Sequence, residues 1–390
     1  MKKENLYQSL LDKYTTECPY LYRSVVKNAL LFICCLLVKE TVNLNKLKNQ
    51  LGSIIGKKGN VESHYRRLTR LFTNHIALQH LWKILLNIIA KQWLNSLKVH
   101  GEKYLLLDAT TWELGNTKFH FLTLCILYKG ISIPIFFVNL SKKGHSSCQE
   151  RKRMFQMCKL IFNLKGYVLL ADREYVGKEW FIFLTQEMGL DFVIRLSKSD
   201  YKKNLEEQKY SYDKLLAKAR NGKIVEAFLE IEGYKFRWIA LKNNKPDDPK
   251  DDLVILLSSL TRFKKNKIAQ MYSQRWYIET MFKSLKSNGF NIEDMNLKDP
   301  NKVRLMMYLV IIAYIICVKE GIKDLKKISK KKFENKSTGE VSFVLSKAVF
   351  RKGYENVVYH AQKINEFVRF ILKIINPQNQ QFNSNISFVQ

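Results

Sequence analysis

Three consecutive strand-like runs begin at residue 103, and they constrain the fold more than any other feature. They are KYLLLDATTWEL, KFHFLTLCILYK and ISIPIFFVNL, separated by short turns that contain Gly or Asn. A helix, a strand, a second helix and a further strand are predicted next, at about 147–163, 166–175, 178–189 and 191–197. This βββαβαβ order predicts an α/β fold in which helices flank a mixed sheet.

The charge balance indicates a polyanionic partner. The 390 residues include 66 Lys+Arg against 35 Asp+Glu, a net charge of +31. Because such an excess destabilises a compact protein by self-repulsion, a polyanionic partner is expected, with nucleic acid as the leading candidate and a membrane surface as the second. The apolar runs 29–38 and 305–318 fall short of the roughly 20 residues that span a bilayer, so we expect buried core helices and no membrane. With no secretory signal and no zinc-type cysteine spacing, the seven cysteines indicate a cytosolic protein.

A helix, a turn and a second helix are predicted within residues 42–72. The turn is GKKGN (56–60), and the second helix carries Arg66, Arg67 and Arg70 beside apolar positions. Cations in this arrangement are typical of a helix that lies on DNA and contacts phosphate. A solvated basic helix with no DNA role would show the same pattern, and both interpretations stay open.

The pattern of strands, helices and polar segments along the chain predicts five regions. A helical N-terminal DNA-binding domain covers 1–100, and the two parts of an RNase H-like core cover 101–197 and 252–320. A polar, β-rich insertion at 198–251 separates the two parts. A basic C-terminal helical region with a polar tail covers 321–390, and the tail (376–385) is expected to be disordered.

Two acids follow apolar runs of the predicted sheet. Asp108 ends the run YLLLD, and Asp172 ends the run VLLAD. Because these strands are neighbours in a mixed sheet of this order, we expect the two carboxylates to lie side by side. A single Asp at a strand end is more often a turn former, but the pair indicates shared metal ligands.

A predicted helix at about 264–288 carries an ionic stripe that borders the core. Tyr272, Arg275, Glu279 and Lys286 would lie on one face of a regular helix. The apolar stripe beside it consists of Met271, Ile278, Phe282 and Leu285. The ionic stripe is therefore expected to face the sheet edge, although a surface Arg–Glu pair would explain part of it. Trp276 is predicted as a core residue rather than a platform for base stacking.

These segments resemble a known family. The spacing Tyr272-x2-Arg275-x3-Glu279-x6-Lys286 resembles the Tyr-Arg-Glu-Lys signature of the insertion-sequence-four family of DDE transposases. Four further segments are similar to its first-acid motif, its second-acid motif, its N-terminal DNA-contacting helix and a C-terminal piece: YLLLDATTW, LLADREY, ESHYRRLTRLF and VFRKGYE (349–355). The loop KKGHSSCQE (142–150) differs from the family pattern, and we expect this difference to involve no catalytic residue.

The resemblance implies a DNA transposase that cleaves the ends of an insertion sequence and joins the 3′-hydroxyl to target DNA. Phosphoryl transfer builds charge on the attacking and leaving oxygens, which two divalent ions about 3.5–4 Å apart stabilise. Oxygen ligands favour Mg²⁺ or Mn²⁺. We expect Asp108 to bridge both ions, while Asp172 and Glu279 each complete one. Arg275 and Lys286 are expected to bind a DNA phosphate. Tyr272 either contacts a phosphate or a sugar of the DNA or is an aromatic residue at the edge of the core.

The resemblance also implies double-stranded DNA as the partner, both transposon ends and target, and a homodimer that synapses two ends and cuts in trans. The protein is expected in a prokaryotic cytoplasm, associated with the nucleoid when it is bound to DNA. Two alternatives stay open: an RNase H-like nuclease or resolvase, and a catalytically silent DNA-binding regulator derived from a transposase. A hairpin intermediate also stays open, as does the partner of Arg173, which is either DNA or Glu174.

Overall fold

The computed structural model describes most of the chain between residues 23 and 375. The described residues are 23–56, 59–83, 85, 101–114, 117–140, 144–244, 246, 248–287, 289–324, 330–334, 341–345 and 349–375. Contacts divide the chain into two compact units. The helical unit comprises 1–96, 112–118 and 282–390, and the sheet unit comprises 97–111 and 119–281.

The sheet has eight strands in the order β3-β2-β1-β4-β5-β8-β7-β6. Their bounds are β1 Lys103–Leu114, β2 Thr117–Tyr128, β3 Ile131–Leu140, β4 Tyr167–Ala171, β5 Asp191–Leu196, β6 Val225–Ile231, β7 Tyr234–Lys242 and β8 Leu253–Ser258. The pairs β1–β4 and β4–β5 are parallel, and the pairs β2–β3, β5–β8, β7–β8 and β6–β7 are antiparallel. The mixed sheet expected from the sequence is confirmed.

The central strands are apolar on both faces, as expected for strands that helices cover. All five residues of β4 are buried. The helices of the sheet unit are α4 Cys148–Lys159, α5 Lys178–Ile182 with a π-turn Phe183–Glu187, α6 Lys202–Glu207, α7 Tyr212–Arg220 and α8 Lys265–Tyr272. The helices α6 and α7 precede β6 and β7 within the predicted insertion, and these two strands extend the same sheet.

The helix predicted at about 264–288 is interrupted in its middle. A 3₁₀ segment, Ser273–Trp276, separates α8 from α9 (Tyr277–Lys286). The Ser273 hydroxyl donates to the Gln270 carbonyl at 2.8 Å, and such a bond competes with regular helical bonding. The four signature residues therefore lie on three successive segments rather than on one regular helix.

The helical unit joins N-terminal and C-terminal helices. They are α1 Arg23–Lys39, α2 Leu44–Ile55, α3 Val61–Thr73, α10 Pro300–Lys323, α11 Val349–Ala361 and α12 Ile364–Ile375, with a π-helical turn Ala77–Leu81. The side chains of Asn43 and Asn60 cap the starts of α2 and α3. Gly56 ends α2 in the left-handed conformation (φ 72°), which glycine adopts without strain. The predicted helix, turn and helix are confirmed.

The helix α10 alone among the described helices is long and apolar enough to cross a membrane. Of its most apolar window, 78% is buried inside the protein, as in a core helix. The expectation of an entirely helical C-terminal region was wrong, because β9 (Lys330–Glu334) and β10 (Val341–Leu345) pair as an antiparallel hairpin. The basic run at 323–336 offers no apolar stripe for a helix to bury. The polar tail lies outside the described residues.

Candidate active site

Three carboxylates of the sheet unit surround the guanidinium of Arg275. Its Nη1 donates to Asp108 Oδ2 at 3.3 Å, and its Nη2 donates to Glu279 Oε1 at 2.7 Å. The same Nη2 lies 3.8 Å from Asp172 Oδ2. The Arg275 side chain is only 14% exposed, so these ion pairs are screened far less than surface pairs. The structure thus brings the three predicted acids together.

Strand pairing places the two aspartates side by side. The parallel pairing of β1 and β4 ends at Leu107 opposite Ala171, and each Asp is the next residue. Asp172 follows β4, as predicted, and its Oδ1 accepts from the Arg173 backbone N–H at 2.8 Å. Asp108 does not end its strand, because β1 continues to Leu114. It stands where the pairing with β4 ends, so its carboxylate still borders that of Asp172.

Burial raises the pKa of Asp108 to about 7. Arg275 and the backbone N–H of Ala109 oppose this shift, whereas the carboxylates of Glu174 and Asp172 add to it. The guanidinium therefore compensates only part of the cost of ionising this carboxyl group.

The surroundings of Arg275 keep it charged. Burial by itself lowers the pKa of Arg275, but Tyr272, Asp172, Asp108 and Glu279 raise it by more, so the net shift is upward. Arg275 is thus a permanent cation among three acids.

The aromatic residues beside Arg275 differ in exposure. The Tyr272 hydroxyl is buried and lies beside the Arg275 side chain. Burial and then Asp172 raise the pKa of Tyr272, while Arg275 lowers it, which places the hydroxyl near both. Trp276 is 55% exposed, so the prediction of a core residue was wrong. Trp276 is the last residue of the 3₁₀ segment.

Lys286 ends α9 and belongs to the helical unit. Its Nζ lies 3.3 Å from Glu293 Oε1 in the same unit. Both side chains are partly exposed, and such pairs contribute little to stability.

The three arginines of α3 line one cavity of the helical unit. It has a volume of about 530 Å³, and residues of α1 and of the α3 N-terminus form the rest of its wall. Arg66 and Arg70 are exposed. Arg67 is half-buried, and its Nε donates to Asn28 Oδ1 on α1 at 3.1 Å.

Several residues near the acids were not singled out by the sequence. The Glu174 carboxylate contacts His145 Nδ1 at 3.1 Å, so the departing loop at 142–150 does reach the neighbourhood of Asp172. The Arg173 guanidinium pairs with Asp251 at 3.2 Å and not with Glu174. Arg151 is buried, and its guanidinium stacks on Trp180 at 5.2 Å. Only the motif LLADREY signalled Glu174, through its position next to Asp172.

Comparisons with known proteins identify the family of the chain. A family model described as a transposase DDE domain matches residues 100–316, more than half of the chain. No curated protein matches the sequence.

A solved structure of similar fold is the cryo-EM structure of a piggyBac transposase synaptic complex with hairpin DNA. The two chains are 13% identical with a TM-score of 0.51, over 94% of this chain and 76% of that one. This likeness confirms the predicted RNase H-like α/β fold.

The matched domain spans β1 through most of α10 and therefore contains all three acids. Enzymes of this family cleave DNA and transfer strands, and they generally use divalent metal ions. The chain belongs to the DDE transposase family, and its function is that of a DNA transposase.

Proposed function

We propose that this chain is the transposase of an insertion sequence in the insertion-sequence-four family. It would cleave each transposon end and join the freed 3′-hydroxyl to target DNA. The observation that carries the proposal is the convergence of Asp108, Asp172 and Glu279 on Arg275. The spacing of Tyr272, Arg275, Glu279 and Lys286 in the sequence supports the subfamily.

Asp108, Asp172 and Glu279 are the proposed ligands of two divalent ions, Mg²⁺ or Mn²⁺. The donor set fits, because these ions prefer carboxylate oxygens, and because burial makes the ionised form of Asp108 costly, a cost that Arg275 offsets only in part. Such ions stabilise charge on the attacking and leaving oxygens of a phosphoryl group.

The three carboxylates surround the Arg275 guanidinium rather than a vacant position for a metal ion. Within the described segments, no group of three or more His, Cys, Asp or Glu side chains forms a ready-made metal cluster. Metal binding would therefore require Arg275 to withdraw and the three acids to close. The withdrawn guanidinium would then be available to DNA.

Arg275 is the proposed phosphate ligand, because its planar guanidinium can offer two N–H groups to one phosphate. Lys286 is also a proposed phosphate ligand and would add a point charge. The Tyr272 hydroxyl is near Arg275 and Asp172, which supports a role in orienting Arg275 toward DNA. The exposed Trp276 ring would stack on a base.

The helix α3 is the proposed DNA-contacting element of an N-terminal domain (1–100). Arg66 and Arg70 would contact phosphate, since both are exposed. Arg67 would act mainly by holding α3 against α1 through Asn28. The remaining domain boundaries, at 197, 251 and 320, are also proposals.

Two protomers are proposed to synapse two DNA ends and cut in trans. The similar solved structure is a synaptic complex of piggyBac transposase with hairpin DNA. This supports the synapsis of two DNA ends by a protein of this fold. The proposed location is the prokaryotic cytoplasm, on the nucleoid when DNA is bound, with no membrane partner.

The test uses purified full-length protein and a labelled duplex that carries the element's own end. We expect cleavage at that end with Mg²⁺ or Mn²⁺ but not with EDTA, and none with Glu279→Gln. Cleavage without preference for the transposon end would favour the nuclease alternative. Binding without cleavage in both proteins would favour the silent regulator. Equal cleavage by both proteins would exclude Glu279 as a metal ligand.

A further inference from the structure

The strand register places an arginine beside Asp172, on the side away from Asp108. Ala171 on β4 pairs with Ile194 on β5, and the next residues are Asp172 and Arg195. Because the strands are parallel, these two residues come at the same level of the sheet. The Arg195 side chain is 15% exposed, so it is held within the protein surface.

A single carboxylate binds this arginine and a second one. Asp251 Oδ2 accepts from Arg195 Nη2 at 2.9 Å, and Asp251 Oδ1 accepts from Arg173 Nη1 at 3.2 Å. Asp251 ends the 3₁₀ turn Pro249–Asp251 that precedes β8. Its backbone carbonyl accepts from Asn243 Nδ2 at 2.8 Å. Asp251 is therefore fixed through its backbone and through its side chain.

Arg173 is tied to the acid centre at one end and to Asp251 at the other. Its backbone N–H donates to Asp172 Oδ1 at 2.8 Å, and its side chain is 50% exposed. Among the described residues, its guanidinium makes a hydrogen bond through Nη1 alone. The Nε and Nη2 atoms form the other edge of the guanidinium, and that edge is open to a ligand.

A structural ion pair does not account for Arg173. Arg195 and Asp251 already form a pair with one charge of each sign, and both are more shielded from water than Arg173 is. Arg173 adds a second positive charge without a second carboxylate. Because it is half exposed, its contact with Asp251 contributes little to stability.

The adjacent acid repeats this excess of positive charge. Asp252 pairs with Lys198 and, at 2.7 Å, with Arg220. Asp251 and Asp252 thus bind four cations between them, which leaves an excess of two positive charges. Such an excess attracts a polyanion.

We propose that Arg173 binds a phosphate of the DNA next to Asp172, and that Asp251 positions Arg173 for this contact. The inference rests on the proposed function, which brings DNA to the three acids. The open Nε and Nη2 edge can donate two parallel N–H bonds to one phosphate. Asp251 occupies Nη1 and is itself held by Arg195, so the open edge has a fixed direction.

The affinity of the full-length protein for a labelled duplex with the element's own end tests the proposal. Fluorescence anisotropy in EDTA at several salt concentrations measures binding without cleavage. The matched control for Arg173→Ala is Arg262→Ala. Arg262 is 56% exposed and pairs with Glu102 and Asp191, where β1 and β5 begin, away from Asp172. The melting temperature of each variant checks that it is folded.

Arg173→Ala should weaken end binding by about tenfold and reduce the slope of log K against log salt by about 1. Arg262→Ala should leave that slope near the wild-type value. A wild-type slope in Arg173→Ala overturns the proposal and leaves the proposed function intact. Equal losses in the two variants overturn it in favour of a general effect of positive charge.

The sign of the effect of Asp251→Asn tests the positioning role. Removing a carboxylate ordinarily strengthens binding to DNA, because it removes a repulsion. Asp251→Asn should instead weaken binding, and it should have no further effect on affinity when Arg173 is already Ala. Asp251→Glu, which keeps the charge and lengthens the side chain, should also weaken binding and serves as the test if Asp251→Asn does not fold.

A merely structural role of Asp251 would lower the melting temperature equally in both backgrounds and leave the affinity of the folded protein unchanged. Stronger binding in Asp251→Asn, or a loss that persists in the Arg173→Ala background, overturns the positioning role. Cleavage by wild type with Mg²⁺ is measured separately. Absence of that cleavage overturns the proposed function, whereas the salt series requires DNA binding alone. Absence of end binding by wild type overturns both.

Discussion

The Arg275 Nη2 atom lies 2.7 Å from Glu279 Oε1, one helical turn further along the chain. The same guanidinium holds Asp108, so two of the proposed metal ligands are tied to a cation already in the protein. Any divalent ion that uses those oxygens must compete with Arg275. Metal binding and release of the guanidinium are therefore coupled.

Replacing Arg275 by Ala should raise the affinity for Mn²⁺ in the absence of DNA. Unit charges about 4 Å apart interact by about 4 kcal/mol at an effective dielectric constant of 20, so removing the competing cation should strengthen Mn²⁺ binding by at least about tenfold. DNA cleavage should be lost, because the phosphate contact is removed as well. Titration of Mn²⁺ at pH 8 measures the effect, with Arg275→Lys as the charge-preserving control. Weaker binding in the Ala variant would instead mean that Arg275 organises the carboxylates for the metal.

Stability without added metal should fall as the pH rises from about 4 to about 7. The folded protein holds a proton on Asp108 up to about pH 7, whereas the ordinary value is 3.8, so the folded state binds more protons across this window. The full shift corresponds to on the order of 4 kcal/mol, all of it lost above pH 7. Asp108→Asn should match wild type near pH 4 and be more stable at pH 8. Urea unfolding in EDTA at both pH values checks this, and identical pH profiles would contradict it.

The sequence predicted the parts of the fold that periodicity encodes and missed those that depend on partners. The apolar runs before Asp108 and Asp172 indicated neighbouring strands, and the structure pairs them. The partner strand β4 determines the point at which its pairing with β1 ends. The position of Asp108 in the middle of β1 could therefore not be predicted from the sequence of β1 alone. The 3₁₀ segment Ser273–Trp276 was missed as well, because the apolar spacing around it is equally compatible with one continuous helix. Glu174 was missed because its direction follows from a turn, which leaves no periodic signal.

Gly353→Ala should destabilise the helical unit strongly. A methyl group at Gly353 would overlap the Cys317 carbonyl oxygen on α10, and backbone cannot give way as a flexible side chain does. The change should cost about 3 kcal/mol or more, near the upper end for overpacked sites. Urea unfolding measures the loss. Glu355→Ala on the exposed side of α11 is the control, and equal effects of the two changes would contradict the close helix contact.

Trp276→Ala should leave stability almost unchanged and weaken binding to transposon-end DNA. The ring is 55% exposed, so folding buries little of it, whereas stacking of a base on an aromatic ring contributes about 1–3 kcal/mol. Fluorescence anisotropy with the labelled end should show a loss of about tenfold, and Trp276→Phe should restore part of it. Trp180→Ala removes a buried ring and should unfold the protein instead. Unchanged DNA affinity in Trp276→Ala would exclude a stacking role.

DNA affinity measured at several salt concentrations should distinguish the arginines of α3 that contact phosphate from the one that stabilises the fold. Arg66 and Arg70 are exposed, so replacing either by Ala should weaken DNA binding uniformly across sequences and reduce the slope of log K against log salt by about 1. Arg67 donates to Asn28, so Arg67→Ala should lower the melting temperature and leave that slope nearly unchanged. Asn28→Ala is the matched control and should reproduce the stability loss. If Arg67→Ala reduced the slope as much as Arg66→Ala does, Arg67 would be a phosphate contact rather than the link between α1 and α3.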